Sequence, residues 1–152
     1  MILLLCLLVQ DFTVLDSGSQ RPKVIDPPAR FERIVDAGSF KALWELLRPM
    51  NGQKELPKVD FAEKIVLLVH PSREADRHSL KIDSAKEEKG VLVVRYSIEQ
   101  MAIEGGPGWR IPYLLIQVPR STAPVQFVEV VRKPGTGEAL KERIVQKLEG
   151  LK

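Results

Sequence analysis

The chain contains few of the residues that build disulfide frameworks and metal sites. Its 152 residues include one cysteine, Cys6, so no disulfide can form within the chain, and a disulfide-stapled fold is excluded. The two histidines, His70 and His78, are eight residues apart, with no cysteine and no HExxH pattern nearby. A zinc site needs three or four ligands. We therefore predict no metal site and no cofactor.

Long apolar runs are also scarce. Met1–Val9 is apolar throughout, but its nine residues fall far short of the ~20 that cross a bilayer as a helix. The run has neither a basic segment before it nor a plain small-x-small cleavage site after it. Two interpretations stay open. The segment is a secretory signal whose start has been trimmed, which implies export to the periplasm or cell surface, or it is a buried first strand of a cytoplasmic protein.

The chain has little excess charge of either sign. Lys and Arg number 23 and Asp and Glu number 20, and residues 1–131 are balanced, with 17 of each sign. Residues 132–152 hold six basic and three acidic side chains, so the whole excess lies there. A nucleic-acid surface needs a basic stripe, and none is evident in the linear sequence. No nucleic acid is expected as a partner.

One helix is predicted in the first half of the chain. Residues 16–30 are rich in Ser, Gly and Pro and predict a turn and an extended connection. Asp36 or Ser39 can cap a helix that Pro49 ends, and the chain then turns at Asn51-Gly52. The helix has apolar residues at i, i+3, i+4 and i+7, which predicts a core-facing stripe of Phe40, Leu43, Trp44 and Leu47.

From Asp60 onward the hydrophobic period changes to two, which is typical of strands. Ile65–Val69 is apolar at every position and predicts a central strand that is covered on both faces. Alternating segments at 78–82 and 92–98 predict a hairpin around a polar reversal at residues 85–90. Two further strands are predicted at Tyr113–Val118, beginning after Pro112, and at Val125–Val131.

A second helix is predicted at the C-terminus. Thr136 is a candidate N-cap, and Glu138 in the first turn suits the helix dipole. The helix has one apolar stripe, made of Leu140, Ile144, Val145, Leu148 and Leu151. The chain is thus predicted to be an α+β domain with an antiparallel β-rich sandwich or open barrel, one helix before the strands and one C-terminal helix. Its organisation is predicted as an apolar segment (1–15), a β-rich domain (16–131) and an amphipathic C-terminal helix (132–152).

Signals of catalysis are missing from the sequence. There is no Gly-x-Ser-x-Gly elbow, and the run Gly135–Leu140 lacks the third glycine of a dinucleotide-binding fingerprint. We therefore expect no enzymatic activity and no catalytic residue. The rival interpretation is a hydrolase-like site built from Arg73, Asp76 and His78.

Two loops carry residue types that anchor protein interfaces. Tryptophan offers a large contact area and arginine adds forked hydrogen bonding, and loops on a rigid sheet often hold binding residues. The loops at 71–78 and 105–110 therefore predict a protein-binding surface made of Arg73, Arg77, His78, Trp109 and Arg110. The alternative is a β domain that binds a small ligand in an apolar cavity between sheet and helix.

The order of these segments resembles the PrcB-like domain, a family named for a subunit that stabilises a bacterial surface protease complex. The similarity covers roughly residues 12–131 and is carried by Val-Asp-Phe at 59–61 before a β run and by Pro-Tyr at 112–113. FKALWELL at 40–47 and DSGS at 16–19 resemble the family's helix and early turn. Residues 73–78 lack the glycines of the family's Thr-Gly-Gly-Tyr-like loop. The resemblance implies a non-enzymatic, often exported domain that binds or stabilises a protein partner such as a protease.

Overall fold

The computed structural model describes residues 12–21, 28–73, 75–76, 79–98, 109–133 and 135–152, with the backbone alone at 75–76 and 109. These residues form one helix, α1 (Ala37–Asn51), and nine strands. The strands are β1 (Thr13–Gln20), β2 (Arg30–Ile34), β3 (Lys64–His70), β4 (Ala75–Asp76), β5 (Leu80–Glu88), β6 (Val91–Ile98), β7 (Trp109–Pro119), β8 (Val125–Arg132) and β9 (Ala139–Leu148).

The strands form two sheets that pack face to face. Sheet 1 has the order β1-β7-β3-β2, with β4 also paired to β7, and sheet 2 has the order β5-β6-β8-β9. All pairings are antiparallel except the one between β6 and β8, so sheet 2 is mixed rather than wholly antiparallel. Helix α1 packs on the face of sheet 1 that is turned away from sheet 2. The predicted α+β class with a β-rich sandwich is confirmed, and α1 precedes seven of the nine strands.

Strand β3 explains why its sequence is apolar at every position. Successive side chains of a strand point to opposite faces. Ile65, Leu67 and Val69 lie in the core between the two sheets, whereas Val66 and Leu68 lie in the core beneath α1. Since β2 and β7 flank it, β3 is the predicted central strand. Each of these aliphatic side chains stabilises the fold by about 1.5–3 kcal/mol through burial.

Helix α1 begins as predicted and ends two residues later than predicted. The Asp36 carboxylate accepts a hydrogen bond from the Ser39 amide at 2.8 Å, so Asp36 is the N-cap. Pro49 lies inside the last turn, where its missing N–H removes only one helical hydrogen bond. The helix instead ends at Asn51, because Gly52 adopts the left-handed conformation (φ 70°) that closes a helix.

Several strands are longer than predicted. Strand β1 includes residues 16–20, which the sequence predicts as a turn, and β5 continues to Glu88 through most of the predicted reversal. The hairpin itself is confirmed: it turns on two residues, Lys89 (φ 50°) and Gly90 (φ 78°), both with the positive φ of a tight hairpin turn. Pro112 lies within β7 rather than before it. It occupies a position of β7 that is not paired with β3.

The predicted C-terminal helix is wrong, because residues 139–148 form the strand β9. This strand pairs antiparallel with β8, which satisfies backbone groups along the length of β8 that would otherwise form an open sheet edge. The apolar residues do not form one stripe: Val145 and Leu148 pack on the core, while Leu140 and Ile144 are exposed. The predicted N-cap, Thr136, lies in the β8–β9 turn between two glycines of positive φ.

His70, at the end of β3, is a buried titratable group. The residue is 3% exposed, and no hydrogen-bond partner for either ring nitrogen is found in the described part of the chain. Burial lowers the pKa of His70 below its ordinary value of 6.5, and the positive charge of Arg30, its cross-strand partner, acts in the same direction. The folded protein therefore holds this imidazole neutral at a pH where the unfolded chain would protonate it.

The free energy of unfolding is expected to fall as the pH drops below about 6.5, because the unfolded chain then binds a proton that folded His70 does not. One such group contributes a slope of up to about 1.4 kcal/mol per pH unit. Urea denaturation of the wild type and of His70→Leu between about pH 5 and 7 measures this slope. The variant should show a shallower slope than the wild type. Equal slopes in the two proteins would rule out His70 as the cause.

Candidate binding cleft

A cleft of about 920 Å³ opens at one end of sheet 2, beside the turn between β8 and β9. Most of its charged lining is positive, and two carboxylates, Asp83 and Glu129, accompany the cations. The six cations that line it are Arg73, Lys81, Arg132, Lys133, Lys141 and Arg143. The excess of four positive charges makes this cleft the first candidate for a functional site in the part of the chain that is described.

The β8–β9 hairpin collects most of this positive charge. Four of the six cations belong to residues 132–143, within the segment 132–152 that holds the positive excess of the whole chain. The hairpin neck is closed by the Lys133 amide, which donates to the Glu138 carbonyl at 2.7 Å, and by the Gly137 amide, which donates to the Lys133 carbonyl at 3.0 Å. The β8–β9 hairpin thus forms one wall of the cleft and carries four of its six cations.

Glu129 is the buried centre of this wall. Its side chain is only 5% exposed, because its position on β8 places it beside Tyr96 of β6 and Arg143 of β9. One carboxylate oxygen accepts a hydrogen bond from Arg73 and the other accepts one from Arg143. The hydrogen bond to Glu129 raises the pKa of Arg143. Burial, reinforced by the negative charge of Glu129, raises the pKa of Tyr96, so Tyr96 remains a neutral phenol.

Asp83 holds the third arginine of the cleft. It lies where the register of β5 shifts, between Ile82 and Ser84. Its carboxylate forms an ion pair with Arg132 at 2.9 Å and accepts a hydrogen bond from the Ser97 hydroxyl at 3.2 Å. All three arginines of the cleft are thus engaged by the cleft's own carboxylates. Lys81, Lys133 and Lys141 differ from them, since within the described residues none of these lysines forms an ion pair.

The residues predicted to bind a partner occupy different places. Arg73 lines the cleft and is bound to Glu129, whereas Arg110 lines a second, smaller cleft of about 370 Å³ beside β1 and the end of α1. Arg77 and His78 lie outside the described residues. Only the backbone of Trp109 is described, and it pairs with Asp76, next to the pairing of Ala75 with Arg110. The two predicted loops therefore meet along β4 and β7.

The sequence patterns mark neither Glu129 nor the three lysines as functional residues. Lysine is common on protein surfaces, and the residues around these three lysines form no motif that would indicate a binding site. The positive excess of residues 132–152 was a usable signal, and treating 139–148 as a strand would have placed Lys141 and Arg143 on the same face. The interaction of Arg73 with Glu129 spans 56 residues, so no local pattern reveals it.

The smaller cleft adjoins a second buried carboxylate, Asp16 of β1. Asp16 accepts hydrogen bonds from the Tyr113 hydroxyl and from Lys54 Nζ, the latter at 2.7 Å. Burial, followed in importance by the hydrogen bond to Asp16, raises the pKa of Tyr113. These three side chains join β1, β7 and the segment after α1. Both hydrogen-bond partners of Asp16 belong to the protein itself. We therefore interpret this cluster as one that stabilises the contact between these elements.

Two further observations concern metal ions and membranes. Among the described residues, no group of three or more His, Cys, Asp or Glu side chains is placed to hold a metal ion. In the same part of the chain, no helix is both long enough and apolar enough to cross a membrane.

Comparison with known proteins adds no relative: no family model, curated protein or solved structure matches this chain. The function is therefore inferred from the cleft, together with the resemblance described above.

Proposed function

We propose that this chain is a non-catalytic protein-interaction domain and that the cleft at the end of sheet 2 receives a segment of its partner. The observation that carries this proposal is the concentration of positive charge in an open cleft of about 920 Å³, with three lysines outside any described ion pair. Charged clefts of one sign attract and orient partners of the other sign. The strands of sheet 2 fix the backbone positions of four of the six cationic residues, Lys81, Arg132, Lys141 and Arg143.

The charges in the cleft favour binding over catalysis. A general base needs a carboxylate or imidazole that is free to accept a proton. Glu129 is engaged by two arginines, and Asp83 is engaged by Arg132 and Ser97. Arg73, part of the rival hydrolase-like site, is bound to Glu129 rather than to a nucleophile.

The resemblance to the PrcB-like domain suggests the kind of complex. A domain that stabilises a protease complex works by binding, which suits a cleft whose own carboxylates are neutralised. We extend the proposal to a partner in such a complex, at the cell surface or in the periplasm. The alternative of an apolar ligand cavity between sheet and helix is less well supported, because buried Phe40, Trp44, Leu47 and Tyr113 fill that layer.

Site-specific photo-crosslinking in the native cell tests this proposal. A benzophenone side chain is placed at Thr136, on the rim of the cleft, or at Lys41, on the exposed face of α1, as the matched control. We expect a protein adduct from Thr136 that is missing from Lys41. Identical adducts from both positions, or no adduct from Thr136, would contradict binding in the cleft.

A further inference from the structure

We infer that the segment bound in the cleft is acidic, and that Lys81, Lys133 and Lys141 recognise it while the three arginines maintain the shape of the cleft. This inference rests on the proposed function and names the chemistry of the partner. It divides the six cations of the cleft into two groups with separate tasks, and the division follows from the ion pairs that each group forms.

The arginines are held in place by the protein itself. Arg73 and Arg143 bind the two oxygens of buried Glu129, and Arg132 binds Asp83 at 2.9 Å. A carboxylate of the partner segment would have to compete with Glu129 or Asp83 for these arginines. Engaged arginines still contribute positive charge to the cleft, but their geometry is set before any partner arrives.

The three lysine side chains are available to bind the partner segment. All three side chains are exposed, and they reach the cleft from three separate places: Lys81 from β5, Lys133 from the neck of the β8–β9 hairpin and Lys141 from β9. Lys81 is paired in register with Ser97, and Lys141 with Val131, so their backbones are fixed by sheet 2. Binding residues on rigid elements lose less entropy when a partner binds than residues on loops do.

The rest of the lining favours a protein segment over a nucleic acid. Ile98 and Val131 are half-buried and offer aliphatic contacts between the cations. The described lining includes no aromatic side chain on which a base could stack, and stacking supports much single-strand binding. An extended segment of glutamate or aspartate with aliphatic residues between them fits this pattern of charge and apolar surface.

The test uses fluorescence anisotropy with a short fluorescein-labelled peptide of alternating glutamate and leucine. We compare the wild type with the triple variant Lys81→Gln, Lys133→Gln, Lys141→Gln. The matched control removes three exposed lysines that do not line the cleft, in the variant Lys41→Gln, Lys58→Gln, Lys152→Gln. We expect the cleft variant to lose about tenfold or more in affinity, since each exposed charge contact is modest, and the control to lose much less.

Four results would overturn the inference. The first is equal loss in both triple variants, and the second is equal binding of a peptide that has glutamine in place of glutamate. The third is tighter binding of an oligothymidylate of matched charge, which would make the cleft a nucleic-acid site. If the peptide fails to bind while Thr136 still crosslinks a partner protein, only the acidic chemistry is wrong and the proposed function survives. An unchanged urea unfolding midpoint in the cleft variant shows that the loss is not caused by unfolding.

Discussion

Removing both arginines that hold Glu129, in the double variant Arg73→Ala, Arg143→Ala, is expected to lower the free energy of unfolding by about 3 kcal/mol. The Glu129 side chain is 5% exposed and would be left in the protein without either of its partners. A buried charge that loses its partners costs more than the ion pair itself contributes. Urea denaturation measures the loss.

A rescue variant separates this cause from the loss of arginine packing. Adding Glu129→Leu to the double variant removes the buried charge and supplies an aliphatic side chain, so we expect most of the lost stability to return. The lysine variant Lys81→Gln, Lys133→Gln, Lys141→Gln provides the comparison, because each substitution of an exposed lysine should change stability by no more than about 0.5 kcal/mol. A double variant as stable as the lysine variant would contradict a structural role for the arginines.

The second large effect is expected at Gly18 on β1. A Cβ atom at this position would lie 2.4 Å from the Met50 carbonyl oxygen and 2.5 Å from Tyr113 Cε1. The variant Gly18→Ala must therefore push β1 away from the end of α1, and it must also move Tyr113 away from Asp16. We expect a loss of about 3 kcal/mol, at the upper end of the range for overpacked positions.

Ser17→Ala is the matched control for Gly18→Ala. Ser17 is the neighbouring residue on the same strand and is exposed, so its loss should cost no more than about 0.5 kcal/mol. Thermal or urea unfolding of the two variants gives the comparison. A Gly18→Ala protein as stable as Ser17→Ala would show that β1 and α1 do not approach as closely as described.

The elements that could be predicted from sequence are those whose causes are local. The apolar run Ile65–Val69 needs two covered faces, and the chain supplies α1 for one face and sheet 2 for the other. The N-cap of α1 is set by Asp36 and a residue three positions later. Burial periodicity and capping act within a few residues, so the pattern of the sequence records them.

The elements that could not be predicted depend on distant partners. Residues 139–148 have apolar spacing that suits a helix. They form a strand instead, because the open edge of β8 offers backbone groups with which they can pair. The forked hydrogen bonding of its guanidinium makes arginine a better predictor of an interface than lysine. Arg73 binds Glu129, a buried residue 56 positions away, so its charge is engaged within the protein. Lys81, Lys133 and Lys141 remain available to bind the partner segment.

The most direct test of the cleft as the binding site is a nitrogen-15 NMR titration of the protein with the glutamate–leucine peptide. Amide shifts are expected to concentrate at residues 79–83, 97–98, 129–133 and 135–143, the segments that contain most of the described lining of the cleft. At the same peptide concentration they should be much smaller in the variant that lacks the three cleft lysines. Shifts confined to the smaller cleft, around Ser17–Ser19 and Arg110, would contradict the assignment of the binding site to the end of sheet 2.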